Sequence, residues 1–126
     1  MGLAASRLVG ETDLIDYDDR MFASISNSAT GDVGAATTFH YHQSGSSVWA
    51  TYQGGAVAHG HLIARVQPDG SLDMRYHHIT VDGILKTGKC QSRPEILVDG
   101  RIRLHETWQW TESSTASGES IIEEVQ

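Results

Sequence analysis

The sequence repeats one short turn motif three times, at Pro68-Asp69-Gly70, Val81-Asp82-Gly83 and Val98-Asp99-Gly100. Each motif separates two stretches in which apolar and polar residues alternate. A three-residue hairpin loop with glycine in the left-handed conformation fixes which residues face each other on the two strands. The motifs therefore predict three β-hairpins together with the register of each.

This register divides the flanking side chains into two faces. The first loop places Leu62 opposite Tyr76, the second places Met74 opposite Cys90, and the third places Cys90 opposite Trp108. All three registers agree on one mainly apolar face: Gly60, Leu62, Ala64, Val66, Leu72, Met74, Tyr76, Cys90, Ile96, Ile102, Leu104, Trp108 and Trp110. We predict that this face forms the core, and that the opposite face, rich in charged residues and histidines, meets solvent.

The rest of the chain is typical of an antiparallel β protein, with 13 glycines and two prolines in 126 residues and no sustained helical spacing. The predicted strands are Arg20–Asn27, Asp32–Gln43, Ser46–Gln53, Ala56–Gln67, Ser71–Thr80, Ile84–Leu97, Arg101–Thr111 and Ser117–Val125. Residues 1–19 are poorly patterned, so we predict a single domain over residues 20–126. Without helices to cover their inner face, eight strands bury it by closing into an all-β, up-and-down barrel, with a two-sheet sandwich as the alternative.

Composition limits the possible partners. A formal net charge of −7 argues against binding to nucleic acid or to an anionic membrane surface. The single cysteine, Cys90, excludes an internal disulfide, and no apolar stretch approaches the ~18 residues of a membrane-spanning helix. We expect a cytoplasmic protein whose partners are small molecules or proteins, and the sequence indicates no cofactor.

Polar residues on the inner face form the candidate binding site. The registers place Tyr76, His78, Ser92 and Glu106 inside, near Cys90. We predict ten ligand-binding residues, namely these five together with Trp108, Trp110, Tyr52, Phe39 and Tyr41. A buried carboxylate without partners is costly and its pKa tends to rise, which suits either a hydrogen bond to a ligand or general acid–base catalysis. The alternative is that Glu106 accepts a structural hydrogen bond, directly from the facing Ser92 or from Tyr52 or Tyr41.

The tryptophans face small residues, Trp110 opposite Gly88 and Trp108 opposite Cys90. This arrangement favours a slot between the two indoles for a flat or apolar ligand. The alternative interpretation is that the glycines only make room for the indoles.

The end of the barrel near the Val81-Asp82-Gly83 turn is predicted to be a polar entrance formed by His78, Lys86 and Glu112. Extending the register places Lys86 opposite Glu112. Glu112 lies roughly 20 Å from Glu106 along an extended strand, so Lys86 cannot pair with Glu106.

One strand permits two orientations. A turn with an even number of loop residues after Gln43 points Phe39 and Tyr41 inward, whereas a three-residue loop points His40 and His42 inward. Hydrophobicity favours the aromatic residues, while the second orientation would place a His-x-His metal pair in the interior.

The remaining histidines form a predicted outer patch. His59, His61 and His77 point outward, and Trp49 joins them if Gln53-Gly54-Gly55 is a loop that sets it opposite His59. No carboxylate or cysteine lies close by on this face, so we expect no metal site. The patch predicts a homodimer contact.

Five segments resemble a family of small bacterial proteins commonly labelled N-acetylglutamate synthase. They are Phe39–Gln43, Val48–Tyr52, Gly70–Tyr76, Gly100–Trp110 and Ser120–Val125, and the resemblance covers about residues 20–125. The residues do not support that label, because an acetyltransferase needs a glycine-bearing loop and a helix N-terminus for the pyrophosphate of coenzyme A. In fold the chain is similar to calycin-type barrels such as avidins and lipocalins, which implies small apolar ligands.

Three hypotheses follow. The first is binding of a small, partly apolar molecule between Trp108 and Trp110, with Glu106, Tyr76 and Ser92 holding its polar end. The second is a small barrel enzyme, an isomerase or cyclase, with Glu106 as general acid or base and Tyr76 as donor. The third is a filled barrel that acts only through its outer patch.

Overall fold

The computed structural model describes residues 7–8, 15–112 and 116–126. Its strands are β1 (Arg7–Leu8), β2 (Arg20–Asn27), β3 (Thr38–Ser44), β4 (Ser47–Gly54), β5 (Val57–Val66), β6 (Leu72–Thr80), β7 (Leu85–Ile96), β8 (Ile102–Trp110) and β9 (Ser117–Glu124). From β2 to β9 each strand pairs antiparallel with the next, and β9 pairs back with β2, so these eight strands form a closed barrel. The described residues contain no helix long and apolar enough to cross a membrane.

The three Asp-Gly hairpins have the predicted geometry. Gly70, Gly83 and Gly100 adopt φ values of +85°, +82° and +88°, the left-handed conformation that glycine tolerates best. The pairs Leu62–Tyr76, Met74–Cys90 and Cys90–Trp108 form as expected. The register derived from the motifs is therefore confirmed for β5 to β8.

The strand with two possible orientations points its aromatic residues inward. Ser44 pairs with Ser47 across the two-residue turn Gly45-Ser46, in which Gly45 has a φ of +60°. This even-numbered turn buries Phe39 and Tyr41, which are 5% and 0% exposed. His40 and His42 accordingly lie on the outside of the barrel.

Two other predictions about strands are wrong. The strand predicted to begin at Asp32 begins at Thr38, and residues 28–37, which we call the cap loop, have no strand structure. Trp49 lies opposite Ile63 and not opposite His59, because the β4–β5 turn falls at Gly55-Ala56 and the pairing shifts between Tyr52 and Gly54.

The two ends of the barrel are closed differently. At one end Tyr17 is fully buried and its hydroxyl donates to the Gly70 carbonyl oxygen at 2.9 Å. At the other end the cap loop bridges several strands: the Trp110 indole N–H donates to the Thr30 carbonyl at 3.2 Å, and Thr37 donates to the Gly54 carbonyl at 3.0 Å. The cap loop therefore lies across the end that the sequence identified as an entrance.

Candidate functional site

A cavity of about 50 Å³ lies inside the barrel beneath the cap loop. Its walls are Asn27, Phe39, Tyr52, Leu62, Met74, Tyr76, His78, Cys90, Glu106, Trp108, Trp110 and Ser120 from the barrel, with Gly31, Asp32 and Val33 from the cap loop. The interior is therefore not packed solid, which counts against the filled-barrel hypothesis.

Eight of the ten residues predicted to bind a ligand line this cavity: Phe39, Tyr52, Tyr76, His78, Cys90, Glu106, Trp108 and Trp110. Tyr41 and Ser92 are fully buried but lie outside the lining. The Tyr41 hydroxyl has no hydrogen-bond partner among the described residues. The cap-loop contribution was missed because Asp32 and Val33 alternate like strand residues in the sequence.

The floor of the cavity is a cluster of Glu106 with two serines. Ser92 donates to Oε2 of Glu106 at 2.9 Å, as one of the sequence interpretations proposed, and Ser120 donates to Oε1 at 3.0 Å. Burial raises the pKa of Glu106 to about 7, and the two serine hydrogen bonds offset part of that effect. Protein atoms surround the Glu106 carboxylate, and part of its surface lines the cavity.

The mouth of the cavity is a cluster of Asp32, His78 and Lys86. Oδ2 of Asp32 lies 2.9 Å from both Nε2 of His78 and Nζ of Lys86, and the other ring nitrogen of His78 lies 2.9 Å from the Tyr52 hydroxyl. Burial by itself would raise the pKa of Asp32, but the hydrogen bonds and charges of His78 and Lys86 outweigh it and lower that pKa below its usual value.

His78, Lys86 and Glu112 line one recess at this end of the barrel, and the ion pair of Lys86 is with Asp32. Glu112 is exposed and accepts a hydrogen bond from the Thr87 hydroxyl at 3.4 Å. Lys86 turns to Asp32 because the cap loop brings that carboxylate over the barrel end. His78 takes part in the mouth as predicted, but its side chain is only 1% exposed.

The two tryptophans form one wall and not a slot. Their ring centroids are 5.6 Å apart with planes tilted by 56°, so the indoles contact each other and a flat ligand cannot lie between them. Both N–H groups are used: Trp108 donates to Asn27 Oδ1 at 3.1 Å and Trp110 to the cap loop. The predicted slot is therefore wrong in geometry, although both rings face the cavity.

Two glycines of the inner face make room for tyrosines. A Cβ atom at Gly88 would lie 2.2 Å from the Tyr76 ring, and one at Gly60 would lie 2.3 Å from the Tyr52 ring. The alternative interpretation, that glycines make room for the indoles, does not hold at Gly60 and Gly88, because a tyrosine ring from the neighbouring strand crosses each of them. It does describe Gly118, where a Cβ atom would lie 2.5 Å from the Trp108 ring. The close approach at Gly60 and Gly88 brings both tyrosine rings to the cavity wall.

The outer histidines separate into pairs. His61 and His77 face each other across β5 and β6 with ring centroids 5.6 Å apart, and His42 stacks on Trp49 at 5.8 Å. His59 is not part of the Trp49 contact. Within residues 7–8, 15–112 and 116–126, no group of three or more His, Cys, Asp or Glu side chains is placed to hold a metal ion.

A closed eight-stranded antiparallel barrel with a cavity under one end defines the class of calycin-type β-barrels. Residues 15–125 match the family model described as avidin-like protein, so the chain belongs to the avidin-like family. Comparison with curated proteins and with solved structures gave no match. Membership in this family suggests small-molecule binding.

Proposed function

We propose that the protein binds a small, partly apolar molecule in the barrel cavity. The polar end of that molecule meets Glu106, and its apolar part lies against Trp108, Trp110 and Tyr76. The observation that carries the proposal is a buried carboxylate that lines a mainly apolar cavity with several aromatic rings in its wall. Such sites combine apolar walls with a few polar groups that orient the ligand.

The polar groups of the cavity have unused hydrogen-bonding capacity. A carboxylate has about four lone-pair sites, and the serines take one on each oxygen of Glu106. Among the described residues the Tyr76 hydroxyl has no hydrogen-bond partner, although Tyr76 lines the cavity. A ligand that donates to Glu106 and accepts from Tyr76 satisfies both groups.

Tryptophan fluorescence during titration with a panel of small metabolites tests the proposal. The experiment uses a Trp49→Phe background, because Trp49 lies on the outside and would add an unrelated signal. We expect a ligand that changes the emission of Trp108 and Trp110, and loss of that response in Cys90→Leu, which fills the cavity. The matched control is Thr107→Leu, an exposed position on β8. A response that survives Cys90→Leu would contradict binding in the cavity.

An enzyme is the second candidate, favoured by the pKa of about 7 at Glu106. A carboxyl group that titrates near neutral pH can exchange protons with a substrate, as general acid–base catalysis requires. Glu106→Gln distinguishes the two functions once a ligand is known. Turnover that disappears while binding persists supports the enzyme, whereas a ligand recovered chemically unchanged supports the binding protein.

A homodimer contact is proposed on the outer face around Trp49. Trp49 stacks on His42 and pairs across the sheet with Ile63, which is 57% exposed. Large apolar side chains grouped on a solvent-facing sheet are typical of a self-association surface. Sedimentation velocity should show a dimer that Ile63→Lys dissociates, with Thr107→Lys as control; a monomer at all concentrations would remove this part of the proposal.

A further inference from the structure

Among the described residues, no cationic side chain pairs with the carboxylate of Glu106. Its pKa is governed by burial and by the hydroxyls of Ser92 and Ser120, and no cation of the described chain contributes. A buried carboxylate is normally paired with a cationic side chain, because hydroxyl donors replace only part of its lost hydration. The nearby cation, Lys86, is held at the mouth by Asp32 at 2.9 Å.

The two serines stabilise the ionised form of Glu106 and offset part of the burial that favours its neutral form. Each serine directs its hydroxyl at a different carboxylate oxygen, and both side chains are buried, at 0% and 5% exposure. Two donors, one for each oxygen, match an ionised acceptor. The lone pairs that remain on Glu106 are available to a group within the cavity.

The walls around this charge suit a cation. Aromatic rings attract cations to their faces, and Lys86 already places its Nζ 5.0 Å from the Trp110 ring centroid on the mouth side. Trp108, Tyr52 and Tyr76 bring further rings to the same cavity. A carboxylate at the floor and aromatic side walls together form an environment in which a positive head group is stabilised from several sides.

The volume limits how much of a ligand is enclosed. Pockets for drug-sized ligands measure roughly 300–1,000 Å³, so a cavity of about 50 Å³ takes only a small part of such a molecule. A larger apolar body has to extend toward the cap loop, where Gly31 and Val33 line the cavity.

Resting on the proposed binding function, we infer that the ligand is an organic cation, an ammonium or amidinium head group on an apolar body, whose N–H groups donate to Glu106 against the tryptophan and tyrosine rings. The net charge of −7 favours the approach of such a molecule.

Calorimetric titration with two probes of equal size, benzylamine and benzyl alcohol, tests the inference on the full chain at pH 8. We expect the amine to bind about tenfold or more tightly than the alcohol, because only the amine carries a charge for Glu106. Glu106→Gln should bring the two affinities together, while Glu119→Gln, which removes an exposed carboxylate, should leave their ratio unchanged.

The unmodified protein offers a second readout that does not depend on a variant. Amine binding should weaken about tenfold per pH unit below pH 7, as Glu106 takes up a proton. Burial raises the pKa of the facing Tyr41, Tyr52, Tyr76 and Cys90, so these groups stay neutral between pH 5 and pH 8. Asp32 stays ionised over the same range, and repeating the titration with His78→Gln shows whether the slope belongs to His78.

The outcomes separate the inference from the proposed function. Equal binding of amine and alcohol, both blocked by Cys90→Leu, would overturn the cationic ligand while leaving small-molecule binding intact. Amine binding that is unchanged in Glu106→Gln and flat with pH would also overturn it. Failure of both probes to bind would count against the cation inference and the cavity function together.

Discussion

The floor and the mouth of the cavity each contain one carboxylate, and the pKa values of the two are shifted in opposite directions. Asp32 at the mouth contacts Lys86 and His78, and its pKa is lowered; Glu106 at the floor contacts only hydroxyls, and its pKa is raised to about 7. Burial raises the pKa of both carboxyl groups, but Glu106 is the more deeply enclosed, and only Asp32 has cationic partners that outweigh the effect of burial. The charges at the mouth balance each other and hold the cap loop in place, whereas no cation in the described part of the chain balances the charge at the floor.

The largest effect is expected from Glu106→Gln. Relative to the wild type, this variant should gain stability as pH rises from 4.5 to about 7, because the wild-type carboxyl must ionise in a buried site. Because the pKa of Glu106 is higher in the folded than in the unfolded protein, ionisation destabilises the wild type. This destabilisation is absent below pH 4.5 and complete above pH 7. A shift of this size corresponds to a difference on the order of 3 kcal/mol at pH 8. Urea unfolding at several pH values measures the difference in free energy of unfolding between the variant and the wild type. A difference that does not change with pH would contradict an unpaired, buried carboxylate at Glu106.

Asp32→Asn should act in the other direction. It weakens the contacts to His78 and Lys86, and we expect a loss of roughly 1–3 kcal/mol at neutral pH, since hydrogen bonds to a charged group are involved. Because the folded-state pKa of Asp32 is lowered, its contribution is present above pH 3.8 and disappears as pH falls through the lower folded-state value. The wild type and the variant should therefore converge in acid. Equal stability of the two at pH 7 would show that the mouth does not hold the cap loop.

A double-mutant cycle sharpens the description of the mouth. Lys86→Met keeps the aliphatic part of the side chain over Trp110 and removes the charge. Combined with Asp32→Asn, it should reveal a coupling of about 1 kcal/mol, typical of a partly exposed ion pair. Additive effects of the two substitutions would mean that the pair contributes nothing beyond its separate contacts.

The smallest effect is expected from Glu112→Gln. Its side chain is exposed and accepts a hydrogen bond from the Thr87 hydroxyl, so stability should change by less than about 0.5 kcal/mol. The same variant should leave the Asp32–Lys86 coupling unaltered. A reduced coupling in the Glu112→Gln background would show that Lys86 also interacts with Glu112, which the sequence register places opposite it.

How well the sequence predicts each part of this structure depends on the length of the turns in that part. The Asp-Gly loops have only three residues, so geometry ties Ser92 to Glu106 and places both inside before any tertiary contact is known. The cap loop has ten residues without such a constraint, and its alternating apolar and polar residues resemble the start of a strand. Its true position depends on distant contacts, such as those of Asp32 with His78 and Lys86, that no local pattern encodes.

The side-chain packing inside the barrel was less predictable than the register. The register identifies Gly88 as the neighbour of both Tyr76 and Trp110, but it does not say which ring crosses the glycine. In the structure the Tyr76 ring crosses Gly88, and the indoles of Trp108 and Trp110 contact each other. Rotamer choice and the hydrogen bonds from the indoles to the end of β2 and the cap loop decide this, and both depend on the whole barrel end.

The cap loop also affects the rate at which a ligand enters and leaves the cavity. Its contacts reach β4, β6, β7 and β8 from one short segment, so it opens only when several of them break together. A molecule larger than the enclosed volume has to wait for that event both to enter and to leave. Ligand exchange should therefore be slow relative to diffusional encounter, and the residence time should be set by the contacts of Asp32 as much as by the strength of binding at the floor.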